Sequence, residues 1–378
     1  MAHDLLHPAG FLPPQAHGRK ATWFELFFDL VFVVAVAELA GAYAHHYDAG
    51  GAAVFAFAFL AMWWCWLGHT FHATRFDAER TDQRAIGMAQ VLAVALIAYG
   101  ADDPLRERAW AFGGGIAAFK VLLALAYARE WRWTGARSLI GTYAAIYGVQ
   151  ALLWAAGAAW PALRLPSWLA ALALDLASPW LVARHTAAVP PHPEHLPERF
   201  GLFTIILLGE GMAAVVHALG HAEALTANAV GVALAGALAT FCLWTGYFRR
   251  AQGHAERMVA GQRDGSDLRL WAYAHVPIYL GVASLAAGTV ALSTRPEPGT
   301  VPALLYAVGL ALAMTGISLL GPAGRADRRA AWQRAGWHLA VAAGFVAVVA
   351  VWRPAQTAAL VLAGLVVCAL QLLLATRR

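Results

Sequence analysis

The sequence predicts an all-α fold: a polytopic helical membrane protein with about twelve transmembrane helices. Three observations carry this. Hydrophobic residues fill 60% of the 378 positions and charged residues only 13%, with a mean hydropathy of +0.57. A soluble surface of this size needs far more charge. Apolar runs of about 20 residues recur along the chain, each long enough to cross a hydrocarbon core roughly 30 Å thick. Finally, the basic residues cluster in alternate loops, the pattern that sets orientation in a membrane.

The spans are expected at 23–45, 50–72, 83–101, 108–129, 136–158 and 166–185, then at 198–218, 225–248, 269–293, 300–320, 331–352 and 354–376. Ahead of the first, MAHDLLHPAGFLPPQAHGRK holds no apolar core. It is expected to be a tail, not a cleaved signal, with the first span retained. Trp110 and Trp131 bracket the fourth span, and Trp332 and Trp352 the eleventh, as indoles at two interfaces would. The two tails and the even-numbered loops carry 21 Lys and Arg, among them Arg75, Arg80, Arg129, Arg132 and Arg199, against five in the odd-numbered loops. This asymmetry predicts both termini in the cytoplasm of a bacterial inner membrane and favours an even span count.

The proline-rich VPPHPEHLPERF falls at the midpoint and suggests a cytoplasmic tail (1–22) followed by two six-helix halves, 23–190 and 191–378. CWLGHTF ends the second span and LWTGYF the eighth, so Trp66 and Gly68 match Trp244 and Gly246. That points to a parallel pseudo-repeat, a device of transporters. The expected partners are the lipid bilayer and an unknown small solute, cation or proton. The net charge of +5 is explained by topology and leaves no case for nucleic acid. The oligomeric state is not set by the sequence. Cys65, Cys242 and Cys368 all sit in apolar segments, so no disulfide framework and no metal site is expected. There is no phosphate loop, dinucleotide fingerprint or hydrolase signature, and no cofactor is expected.

The chemistry then lies with ionisable groups inside the spans, which are costly there and must meet protein or water. Thr22 and Glu25 have capping-box spacing, so Glu25 is read as a helix cap. Asp29, one turn further on the same face, lies roughly 9 Å inside the membrane by helical rise. Glu38 points the opposite way, half a turn round, which predicts a first span that is central in the bundle. Glu210 lies between glycines in LLGEGMA, a point where the helix is expected to weaken or break. Asp175 precedes Pro179, which frees the Asp175 carbonyl. Either that carbonyl joins the carboxylate in a cation site, or Ser178 satisfies it. Pro277 acts similarly beside His275, which is either a neutral helix–helix donor or a relay member. Lys120, after GGG at 113–115, needs a carboxylate, with Asp175, Glu210, Glu38 and Asp29 as candidates. Glu198 and Arg199 open the seventh span and, with Pro179 and Pro277, are read as structural.

These residues also carry a resemblance. FELFFDLVFVVAVAEL and ERFGLFTIILLGEGM resemble two signatures of the bacterial low temperature requirement A (LtrA) family, and ALDLASP and YAHVPIYLGVASLAAG resemble two further segments in the expected order. The resemblance implies a multi-span bacterial inner-membrane protein linked by name to growth in the cold. It singles out Glu25, Phe28, Asp29, Glu38, Asp175, Glu198, Arg199, Glu210 and His275, and supplies no substrate. The expected function is secondary transport or ion conduction, with Asp29, Glu38, Asp175, Glu210, Lys120 and His275 as ion- or proton-binding candidates. The alternatives are an intramembrane enzyme acting on lipid, with His275 in acid–base chemistry, and a membrane sensor or scaffold.

Overall fold

The computed structural model describes residues 20–43, 48–76, 80–186, 189–220, 226–251, 266–294, 300–321, 328–352 and 361–369, and every regular element among them is helical. Helix is the form that satisfies every backbone group within one segment, which lipid demands. The helices are α1 (Trp23–Tyr43), α2 (Ala49–Ala73), α3 (Thr81–Gly100), α4 (Ala109–Ala128), α5 (Arg137–Ala159) and α6 (Arg164–Leu181). A short α7 (Ala183–Thr186) follows, then α8 (His195–Gly220), α9 (Ala227–Ala251), α10 (Ser266–Thr294), α11 (Thr300–Leu319) and α12 (Arg328–Trp352). Residues 361–369 are also helical.

Ten of these helices are long and apolar enough to cross a membrane: α1 to α5 and α8 to α12. α6 stands where the sixth span is expected, but it has 18 residues and stops at Val182 before the short α7. Most of the twelfth expected span lies outside the described residues. The chain is thus a polytopic helical membrane protein in which ten spans meet both criteria. The local break expected at Glu210 is not met. α8 runs unbroken through Gly209, Glu210 and Gly211, and α10 continues through Pro277.

The ends of the helices follow from local chemistry. Thr22 and Glu25 form the reciprocal cap: the Thr22 N–H donates to Glu25 Oε2 at 2.9 Å, and the Glu25 N–H donates to Thr22 Oγ1 at 3.2 Å. Asp48 Oδ1 accepts from the Gly51 N–H at 2.7 Å ahead of α2, and Thr226 Oγ1 from the Ala229 N–H at 3.1 Å ahead of α9.

The contacts divide the described residues into two units. The first takes α1 as far as Glu38 and the stretch Ala58–Arg199. In it α3 packs on α4, α4 on α5 and α5 on α6. Residues 61–70 of α2 are all buried, so α2 is the helix covered on every side. α1 is not the central helix the sequence led us to expect. Its inner face buries Glu25, Phe28, Asp29 and Phe32, while Trp23, Phe27, Leu30, Val34 and Glu38 form an exposed stripe at helical spacing. The stripe is apolar enough to face lipid except at Glu38, five residues from the end of the helix.

The second unit takes Leu39–Phe57, the chain from Phe200 through α9, and α10 onward from Asp267. Here α11 packs on α12, and α10 and α11 meet backbone to backbone at Gly281 and Gly309. A Cβ on either glycine would collide with the other helix's main chain. Small residues at a crossing are how helices approach closely in lipid, where burial of apolar surface offers little gain.

Candidate functional site

Building from α1, the first ionic cluster gathers at the inner face of the first unit. Arg199, near the start of α8, grips Asp29 side-on: Nη2 donates to Oδ1 at 2.5 Å and Nε to Oδ2 at 3.1 Å. The indole Nε1 of Trp66 on α2 donates to the same Oδ1 at 2.7 Å. The remaining guanidinium nitrogen, Nη1, lies 2.9 Å from Glu25 Oε1. His195, one turn before Arg199, reaches Glu25 Oε2 from Nε2 at 3.1 Å, and a carboxylate only accepts, so the imidazole is the donor. Glu25, Asp29, His195 and Arg199 are all fully buried. Two carboxylates therefore share one permanently charged fork and one imidazole. A planar guanidinium suits this, since it offers paired donors in a fixed geometry.

The second cluster lies among α4, α5 and α6. Lys120 Nζ is 2.7 Å from Asp175 Oδ1, and Gln150 Nε2 donates to that same oxygen at 2.8 Å. Lys120 and Asp175 are fully buried. The lysine ammonium also faces the Tyr147 ring, 5.4 Å from its centre. Asp175 Oδ2 and Gln150 Oε1 are buried with no hydrogen-bond partner among the described residues. The carbonyl that Pro179 frees does not join this site: Ser178 Oγ donates to it at 2.8 Å. Of the four acids that sequence reasoning offered to Lys120, the structure pairs it with Asp175.

A family model described as bacterial low temperature requirement A protein (LtrA) matches residues 20–375. The chain belongs to the LtrA family. It is also 27% identical over 284 residues, 71% of this chain and 68% of the other, to an uncharacterized protein of Rhizobium meliloti (strain 1021). In this LtrA chain two of the segments carrying the family resemblance meet in space. The first supplies Glu25 and Asp29, the second supplies Arg199, and the two are joined by the bonds just described. The third supplies Asp175, bonded to Lys120.

The other candidates of this LtrA protein have other surroundings. Glu198 Oε2 accepts from the Ala21 N–H at 2.9 Å, holding the chain ahead of α1. Glu38 is exposed, and Glu210 is half-buried in the second unit. His275 is buried in the second unit with both ring nitrogens engaged. Nδ1 lies 2.7 Å from the Trp271 carbonyl and Nε2 3.0 Å from the Tyr247 hydroxyl. A carbonyl only accepts, so Nδ1 carries the proton and Nε2 accepts from Tyr247, a neutral imidazole tying α9 to α10. Among the described residues no three His, Cys, Asp or Glu side chains are placed to hold a metal ion.

Several partners escaped sequence reasoning. Trp66 and Gln150 are neutral and carry no cost signal in an apolar run, and His195 reads as a residue of the proline-rich connection. Glu130 reads as a loop residue but is fully buried, holding Arg80 Nη1 at 2.6 Å, Gln83 Nε2 at 2.7 Å and Trp133 Nε1 at 2.8 Å. Arg199 was counted among the basic residues that set orientation, yet its side chain is as buried as Asp29. The sequence PER after a proline-rich connection held the signal: an arginine near the start of an apolar helix opposes the helix dipole and needs an acid nearby.

Proposed function

We propose that this LtrA protein carries protons or a small cation across the bacterial cytoplasmic membrane, with both termini on the cytoplasmic side and Asp175 as the exchange point. The observation behind this reading is the Lys120–Asp175–Gln150 group. A lysine bound to one oxygen of a carboxylate deep in a span leaves the second oxygen open, and a lysine can give up its proton where an arginine cannot. Ionisable groups inside a span are costly and commonly mark ion and proton routes. The Asp29 cluster serves as an anchor beside it, because the doubly held Asp29 has no oxygen to spare. Lipid chemistry through His275 draws no support, since both of its nitrogens are occupied.

The test is flux in proteoliposomes under an imposed pH gradient or cation gradient. Asp175→Asn and Lys120→Met should abolish it while His275→Gln, in the second unit, leaves it near the parent value. Unchanged flux in Asp175→Asn defeats the reading.

A further inference from the structure

Buried polar atoms without partners are unevenly spread. On α2 and α3 of the first unit, His69 Nε2, Thr70 Oγ1 and Gln90 Nε2 have no hydrogen-bond partner among the described residues, and on α5 and α6 the same holds for Gln150 Oε1 and Asp175 Oδ2. In the second unit the described residues show this only at Trp271 Nε1. Each such atom, left dry, has lost its hydrogen bonds to water without replacement and destabilises the fold. Proteins meet that cost with internal water, which needs two to four polar neighbours.

His69 stacks on Phe28 with ring centres 3.7 Å apart, and its Nδ1 lies 2.8 Å from Gln90 Oε1. Cys65 is one turn deeper on the same face of α2, about 6 Å along the axis. It lies within electrostatic reach of Lys120 and Asp175, as His69 does of Arg199 and Glu25. Polar groups one turn apart on α2 thus lie near both clusters, His69 by Arg199 and Cys65 by the Lys120–Asp175 pair. Beyond that pair, towards the opposite ends of α4, α5 and α6, the interior is aromatic. Trp154 and Trp168 stand 4.9 Å apart, with Phe112 6.1 and 6.0 Å from them, and the Trp168 ring fills the space over Gly113 and Gly157.

We propose that the first unit binds a file of ordered water along α2, from His69, Thr70 and Gln90 to Gln150 and Asp175, stopped by the Trp154–Trp168–Phe112 plug. The ligand is water, and the site is a half-path that opens at the arginine-rich end of the helices. Its use as a proton route rests on the function proposed above; the water itself does not. It would make the proton the cargo, since a file of this kind hydrates Asp175 without the ring of oxygens that a bare metal cation needs.

The experiment is radiolytic labelling of the full chain in lipid nanodiscs with oxygen-18 water, which marks side chains that touch bound water. His69 and His275 are the matched pair: both buried, one with a vacant nitrogen and one with none. His69 should label severalfold faster than His275, and Gln90→Leu should bring it down towards the His275 rate. Equal rates in the parent protein overturn the inference, whatever the liposomes transport. Fast labelling of His69 in a protein that moves neither protons nor cations upholds the water file and removes the transport reading.

Discussion

Asp29 and Asp175 are both buried aspartates in the first unit, each held by a cation, and they differ in how completely. Arg199 covers both oxygens of Asp29, and Trp66 adds a third bond. Lys120 and Gln150 crowd onto one oxygen of Asp175 and leave the other bare. The difference teaches that burial of a charge is not one condition. A fork with fixed geometry and a permanent charge makes a latch, whereas a point charge on a flexible stem, able to lose its proton, leaves a group that can change partners.

The comparison can be broken in order of expected effect. Arg199→Leu strands two carboxylates at once and should cost about 3–5 kcal/mol in equilibrium unfolding from mixed micelles. Lys120→Met should cost less, about 3 kcal/mol, and Lys120→Met with Asp175→Leu should recover most of it, because an apolar pair of similar volume replaces a buried ion pair at little cost. A double variant no more stable than the single one would show that Asp175 has partners beyond Lys120 and Gln150. Trp66→Phe removes a single donor to a charged oxygen that Arg199 still holds, so about 1.5 kcal/mol is expected by the same measurement. Glu38→Gln, on the exposed stripe of α1, should shift stability by less than about 0.5 kcal/mol. A large loss there would mean that the stripe is covered by something heavier than lipid.

Much of the fold was legible because lipid leaves few choices: apolar length gives helices, and loop charge gives their alternation. Depth and face along one helix were legible as well. They singled out Asp29, Lys120 and Asp175, and placed Glu38 opposite Asp29. What periodicity cannot give is the azimuth of one helix about another. Hence Lys120 had four candidate acids, and α1 looked central when α2 is. Arg199 was obscured for a different reason. A single residue can serve as a loop charge by its position and as a buried partner by its side chain, and the sequence shows only the first.

The two ends of the first cluster are far apart in the chain. Asp29 and Arg199 are separated by 170 residues, as are Glu25 and His195. A ribosome adds about 5–20 residues per second, so α1 waits roughly ten to thirty seconds for the cation that neutralises it. Through that interval its acids must be kept in water or shielded by the insertion machinery. The latch therefore also acts as a checkpoint in biogenesis: the first helix reaches its final seat only after the second half of the protein has begun to emerge.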